Sequence, residues 1–309
     1  MKTWAVILAA IERHGVCALV SITGTRGSAP RDAGARLVVT PAGFHGTIGG
    51  GALEWQAITT AQAMLAAGAA VRRSTHALGP DLGQCCGGRV DLMTEVFDAG
   101  SLDAVRGFAA REAVGPFTLR GRIAQLDIVE TFGTTLRRLY LFGAGHVGRA
   151  LVLALAPLPF DVHWIDARPQ AFPAAVPQNF TLIAEPDPHR VLAGAPAQSF
   201  VLAMTHSHAL DLAIVDAALR NPAVVQTGLI GSATKRARFE RRLREGGVPE
   251  ARIAAMICPI GISGIASKDP AMIAAATAAQ LLVLHEQLEA GAAHRPNTSQ
   301  LRAIGGGRP

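Results

Sequence analysis

Apolar positions along the chain switch between helical and strand spacing, and the switches set out its elements. Trp4, Ile7, Leu8 and Ile11 recur at helical spacing and Gly15 follows as a stop, which predicts a helix over residues 4–14. Short apolar runs over 16–23, 35–40, 71–78 and 89–97 read as strands, and 52–67 reads as a second helix. Residues 99–135 are less regular, with a helix expected near 102–112 and a strand or two before the boundary. From Leu136 strands and helices alternate. Strands are predicted at 139–142, 162–166, 181–184, 200–204 and 224–230, a helix ends near Leu219, and a long helix covers 271–288. Such alternation implies a parallel sheet wound on both faces.

The predicted fold class is therefore α/β: a mixed α/β N-terminal domain (1–98), a connecting region (99–135), and a Rossmann-type doubly wound parallel-sheet domain (136–290). The Gly- and Pro-containing tail, 291–309, is expected to be disordered.

At 309 residues, half of them apolar and 17% charged, the chain can bury two cores. Aromatic residues are only 5%, which argues against nucleic-acid recognition by base stacking. The net charge of +6 owes much to one cluster, Lys235, Arg236, Arg238, Arg241, Arg242 and Arg244. That cluster reads as a solvated face carrying Lys235, Arg238 and Arg242, with Phe239 and Leu243 inward. A surface for an acidic partner or a phosphate is the sharper alternative. Four scattered cysteines make no disulfide framework and no C-x-x-C pair. Charged Glu12 and Arg13 interrupt the N-terminal stretch before a signal-peptide core is complete, and no apolar run was found of spanning length. The expectation is a cytoplasmic protein with reduced thiols and neither membrane nor nucleic-acid partners.

Gly143-Ala144-Gly145-His146-Val147-Gly148 follows an apolar strand and opens a helix. Gly143 suits the tight turn, Gly145 the close approach of a phosphate, and Gly148 the packing of helix on strand, with His146 at the helix start. Asp166 ends the next strand, where a ribose-binding carboxylate belongs. His206, in Thr205-His206-Ser207-His208, lies just past a strand's carboxyl end, at the ligand-binding edge of such sheets. Ser207 or His208 suits the start of the following helix, Ser232 suits a helix N-cap, and Cys258 reads as a buried structural thiol.

In the first half, Leu82-Gly83-Gln84-Cys85-Cys86-Gly87-Gly88 is the most specific short element. Its residues read in two ways. A glycine-flanked turn can expose backbone N–H groups, lower a thiol pKa and receive an anion; alternatively it is a turn with one buried and one incidental cysteine.

Taken in order, the chain resembles the XdhC/CoxI family of xanthine dehydrogenase accessory proteins. The resemblance reaches to about Leu288. It rests on Gly27-Ser28-Ala29-Pro30-Arg31, Gly49-Gly50-Gly51-Ala52-Leu53-Glu54, the 82–88 element and the glycine loop with Phe142. It rests further on residues 205–208, Gly228-Leu229-Ile230-Gly231-Ser232 and Cys258-Pro259-Ile260-Gly261. It implies a chaperone, not an enzyme. Such a chaperone binds and protects the molybdenum cofactor in its molybdopterin form, supports its sulfuration by a cysteine-desulfurase-type partner, and inserts it into apo-xanthine dehydrogenase. It further implies contact with cofactor biosynthesis proteins and a homo-oligomer, usually a dimer.

A phosphate suits arginines and glycine loops, and a metal–sulfur centre suits a thiol. Arg26, Arg31, Gly49, Gly50, Gly51, Glu54 and Gln84 are therefore assigned to cofactor binding, with Cys85 or Cys86 near the molybdenum. Gly143, Gly145, His146, Gly148, Asp166 and His206 would complete the site or hold a nucleotide. The principal alternative is an NAD(P)-dependent oxidoreductase using that second domain, although no acid–base pair for hydride transfer is evident. A basic nucleic-acid-binding module would need a binding motif, and none is recognised.

Overall fold

A computed structural model describes residues 2–79, 87–120 and 128–293. They form two compact units, 1–135 and 136–309.

The first unit is built on a five-stranded antiparallel sheet. Its elements are α1 (Thr3–His14), β1 (Val16–Arg26), β2 (Arg36–Thr40), β3 (Gly43–Gly46), α2 (Gly51–Ala67), β4 (Val71–Ala77) and β5 (Arg89–Asp98), with strand order β3-β2-β1-β5-β4. Central β1 is covered on both faces, which is why its sequence reads as a nearly continuous apolar run. Ala18, Val20 and Ile22 point to α2 and meet Leu53, Ala57 and Ile58. Alternate Cys17 and Leu19 point the other way, to Trp4, Ile7 and Ile11 of α1.

The stretch set apart in sequence as a connecting region belongs to this unit. It supplies α3 (Leu102–Val114) and the hairpin β6 (Phe117–Arg120)–β7 (Val129–Phe132). Val105 and Phe132 complete the α1-side core. Buried Glu112 accepts hydrogen bonds from the N–H groups of Thr3 and Trp4, both at 2.8 Å. A carboxylate about a hundred residues away thus caps α1, which has no side-chain cap of its own. Local sequence periodicity carries no trace of such a contact.

In the second unit β8 (Arg137–Phe142), β9 (Phe160–Asp166), β10 (Phe180–Ala184), β11 (Ser199–Ala203) and β12 (Val224–Leu229) form a parallel sheet in the order β10-β9-β8-β11-β12. Helices α4 (His146–Leu155) and α8 (Pro270–Ala293) cover one face. On the other lie α5 (His208–Arg220), α6 (Ala233–Glu245) and α7 (Glu250–Ala254). This is the doubly wound arrangement, with its strand order reversing between β8 and β11.

Helix α8 corrects one sequence expectation. Over 270–291 it is long and apolar enough to cross a membrane. Ala274, Ala278 and Leu281 nevertheless pack into the core shared with α4. Its far end is clasped by buried Arg137, which donates to His285 Nδ1 at 3.1 Å and to Glu289 at 2.6 Å. Packing on one face and a polar clasp are what a core helix needs.

Candidate functional site

Three sequence-distant motifs of the first unit meet at one end of its sheet. The loop after β1 carries Gly27, Ser28, Pro30 and Arg31; the loop before α2 carries Thr47 to Gly51. Gly49 has φ +125°, and a Cβ on it would lie 2.7 Å from Pro30 Cβ, so the two loops interlock there. Gly88 packs equally closely, since a Cβ would fall on the carbonyl oxygen of Ser28 and lie 2.7 Å from that of Arg26. Leu78 N–H donates to Gly88 O at 2.7 Å and closes the base of the segment between them. Gln84, Cys85 and Cys86 lie outside the described residues; Gly88, beyond them in the chain, packs against Arg26 and Ser28. Arg26 and Arg31 are exposed and form no ion pair among the described residues.

Glu54 has a different place from the one foreseen. One of its oxygens accepts from the Thr47 hydroxyl at 2.5 Å, Ile48 N–H at 2.8 Å and Gly50 N–H at 3.1 Å. Burial alone would push this carboxyl up; the hydrogen bonds from Thr47, Ile48, Gly50 and Gly49 outweigh it and hold it below its ordinary value. The chain's own carboxylate therefore sits where a bound phosphate would have used the Ile48 and Gly50 donors. The Thr47–Glu54 spacing was the signal available for this internal cap.

In the second unit the loops after β8, β9 and β11 touch. Gly143 N–H donates to Ile165 O at 2.8 Å, and a Cβ on Gly143 (φ +112°) would lie 2.5 Å from Met204 O. A Cβ on Gly148 would fall on Gly143 O, whereas one on Gly145 would meet nothing within 4 Å. Two of the three glycines thus serve the protein's own packing. Gly145 instead borders open space, beside exposed His146 and the unpaired N–H groups of the first turn of α4.

Asp166 is only 5% exposed and its carboxylate is saturated. It accepts from Ala144 N–H at 2.8 Å and from the Arg168 N–H, Nε and Nη2 at 3.0, 2.9 and 3.0 Å. Four acceptances fill the lone-pair sites of a carboxylate. In this state Asp166 ties the glycine loop to Arg168 and has no free site for ribose hydroxyls. Burial would raise its pKa, but the hydrogen bonds from Arg168 and Ala144 bring it down to about 2. A depressed folded pKa contributes stability above the ordinary 3.8, and that stability is lost as pH falls towards 2. Asp166→Asn is expected to be less stable than wild type at pH 7 and to lose this part of the acid dependence. Denaturant unfolding from pH 2 to 6 checks it; parallel pH profiles for the two proteins would refute it.

His206 is exposed beyond β11, and Ser207 caps α5 by accepting from Leu210 N–H. The loop between them is held from below. Buried Asp211 accepts from Thr205 N–H at 2.9 Å and its hydroxyl at 2.8 Å, and from Lys235 Nζ at 2.6 Å. Lys235 also donates to Ile230 O at 2.9 Å, so it joins the loops after β11 and β12. Placing Lys235 on the solvated basic face is therefore corrected. It shares the inward side of α6 with Phe239, four residues on and 5.4 Å from its Nζ. Ser232 caps that helix as expected. Burial raises the Cys258 thiol pKa, with Lys235 and Arg236 acting in the opposite sense. Among the described residues no group of three His, Cys, Asp or Glu side chains could hold a metal ion.

These features define a two-part α/β protein: a small antiparallel-sheet unit with interlocked glycine and arginine loops, and a Rossmann unit with a nucleotide-type glycine loop. Residues 10–75 match the XdhC and CoxI family model, and residues 139–281 match the model of the XdhC Rossmann domain. The chain belongs to the XdhC and CoxI family. It is 28% identical over 301 residues to an uncharacterized protein, YqeB, of Escherichia coli (strain K12), across 93% of this chain and 47% of that one. It thus spans about half the length of that curated relative. A solved structure from Bacillus halodurans, described as a xanthine dehydrogenase, shares the fold with a TM-score of 0.76. That match covers 93% of this chain and 96% of the other at 20% identity.

Proposed function

We propose that the chain serves xanthine dehydrogenase maturation as a carrier of the molybdenum cofactor in its molybdopterin form. It holds and shields the cofactor, presents it to a cysteine-desulfurase-type sulfur donor, and delivers it to the apo-enzyme without catalysing a reaction itself. Handover from cofactor biosynthesis proteins, a homodimeric state and a cytoplasmic location belong to the same proposal. One observation carries the reading: Arg26, Arg31 and Gly88, two residues on from Cys86 in the chain, belong to interlocked loops at one end of the first sheet. Guanidinium groups with no ion pair among the described residues suit the cargo's phosphate, and thiols suit its metal–sulfur centre. Family membership supports the client.

The alternative, an NAD(P)-dependent oxidoreductase, is disfavoured by the saturated Asp166, because a ribose diol would have to displace Arg168. Titration with NAD(H) and NADP(H), together with a search for turnover of either reductant, separates the readings.

The decisive experiment is purification from molybdenum-replete cells with metal and pterin analysis. Wild type is expected to carry both, and the Cys85→Ala/Cys86→Ala variant to retain about tenfold less molybdenum or lower. Equal retention removes the cysteines from the site. Wild-type protein that is empty and fails to activate apo-xanthine dehydrogenase ends the carrier reading.

A further inference from the structure

The parallel sheet of the second unit ends on β12 at one side and on β10 at the other. The β12 side is closed by Ile257, which bridges Gly228: Leu229 N–H donates to Ile257 O at 2.8 Å and Ile257 N–H to Thr227 O at 2.9 Å. Among the described residues no segment pairs with the outer side of β10. Its inner side is fixed by the parallel register with β9, bracketed by Val162 N–H donating to Asn179 O at 2.9 Å and Glu185 N–H to Asp166 O at 3.3 Å. Along a strand alternate residues turn their backbone groups to the same neighbour. Thr181 and Ile183 therefore face β9, and the backbone groups of Phe180, Leu182 and Ala184 point outward. Phe180 N–H donates to Pro177 O at 3.0 Å. The Phe180 carbonyl and both backbone groups of Leu182 and Ala184 have no hydrogen-bond partner among the described residues.

The side chains of β10 do nothing to block that edge. Edge strands are ordinarily protected by charge, by proline, by shortness or by a covering segment. In the first unit the outer strand β4 carries Arg72 and Arg73, and β3 has only four residues. Strand β10 reads Phe-Thr-Leu-Ile-Ala, without a charge or a proline. Thr181 and Ala184 are exposed, and so is Leu182, at 38%.

An open edge is satisfied by another strand, and β10 is complementary to itself. A second copy turned antiparallel about a two-fold axis through Leu182 sets that leucine opposite its own counterpart, Thr181 opposite Ile183, and Phe180 opposite Ala184. The leucines exchange N–H···O bonds in both directions, and Ala184 N–H of each copy reaches the free Phe180 carbonyl of the other. The Ala184 carbonyl stays in water, because the N–H opposite it is held by Pro177. No like charges meet: Glu185, the first charged residue beyond the strand, falls opposite Asn179.

We propose that β10 is the seam of a homodimer in which two second units join edge to edge into one continuous sheet. The proposal rests on the homodimeric state put forward above and gives it a surface; cofactor carriage is read separately, as retained molybdenum. A seam this short belongs with the small interfaces, below about 1,200 Å², so self-association in the micromolar range is expected.

The test is sedimentation velocity of the full chain from about 1 to 100 µM, across which wild type is expected to pass from monomer towards dimer. Leu182→Pro removes an N–H that the chain's own ladder does not use, and should weaken dimerisation by about tenfold or more. Leu182→Lys leaves the backbone intact, sets two ammonium groups against each other at the axis, and should weaken it as much. Leu153→Lys, at a 76% exposed leucine of α4, is the control and should leave self-association unchanged. Circular dichroism confirms that each variant is folded; Leu182→Lys keeps the test valid if Leu182→Pro is not. Wild type that stays monomeric at about 100 µM overturns the seam and the homodimeric state together. Dimeric wild type whose affinity survives Leu182→Lys overturns the seam alone, as does equal weakening by Leu153→Lys.

Discussion

Lys235→Met is expected to destabilise the second unit by about 3–5 kcal/mol. Asp211 is fully buried, and one of its oxygens depends on the Lys235 ammonium at 2.6 Å. Removing the cation strands a carboxylate in the interior and takes a donor from Ile230 O. Much of the cost is that uncompensated charge, so Asp211→Asn/Lys235→Met should recover part of the loss. Trp164, the second unit's single tryptophan, sits in its core and reports denaturant unfolding there. A loss below about 1 kcal/mol in the single variant would show that the pair carries no such load.

The second large effect comes from adding one methyl group within the glycine loop. Gly148→Ala should cost about 3 kcal/mol or more, since its Cβ would fall on the Gly143 carbonyl, a backbone group unable to swing away. Gly145→Ala should change stability by no more than about 1 kcal/mol. Its φ of −79° suits alanine and a Cβ there meets nothing within 4 Å. The pair therefore divides the motif: one glycine for the fold, one for whatever approaches the loop. If both variants melt together, steric packing is not what distinguishes them.

Much of the architecture was readable from local pattern. The alternation after Leu136 foretold the parallel sheet, because strands buried on both faces must be continuously apolar and their crossovers must be amphipathic. Ser232 was recognisable as a cap, and the cap of α5 was narrowed to Ser207 or His208, because capping is settled within four residues. Residues 99–135 were harder. Helix α3 is held by a carboxylate reaching across to α1 and by aromatic contacts of Phe108 with Trp4 and Phe117, interactions with no period in the sequence. Helix α8 was read as the long helix that closes the second sheet, as found, although an apolar helix carries the same residue pattern whether protein or lipid covers it.

For the site, residue type was legible but occupancy was not. Arginines, glycines and thiols are the residue types on which the proposal of an anionic, metal–sulfur cargo rests. Sequence could not show that Glu54 already fills its own loop, that Asp166 is saturated by Arg168, or that Lys235 turns inward to Asp211.

By itself, then, the sequence determined the order of elements apart from short β3 and α7, the parallel character of the second sheet and the glycine turns. Each follows from backbone preferences and side-chain periodicity over a few residues. Tertiary structure alone decided which charged groups are free to meet a ligand and which are consumed internally. That depends on hydrogen bonds between segments far apart in the chain, where one partner's lone pairs can be filled only once.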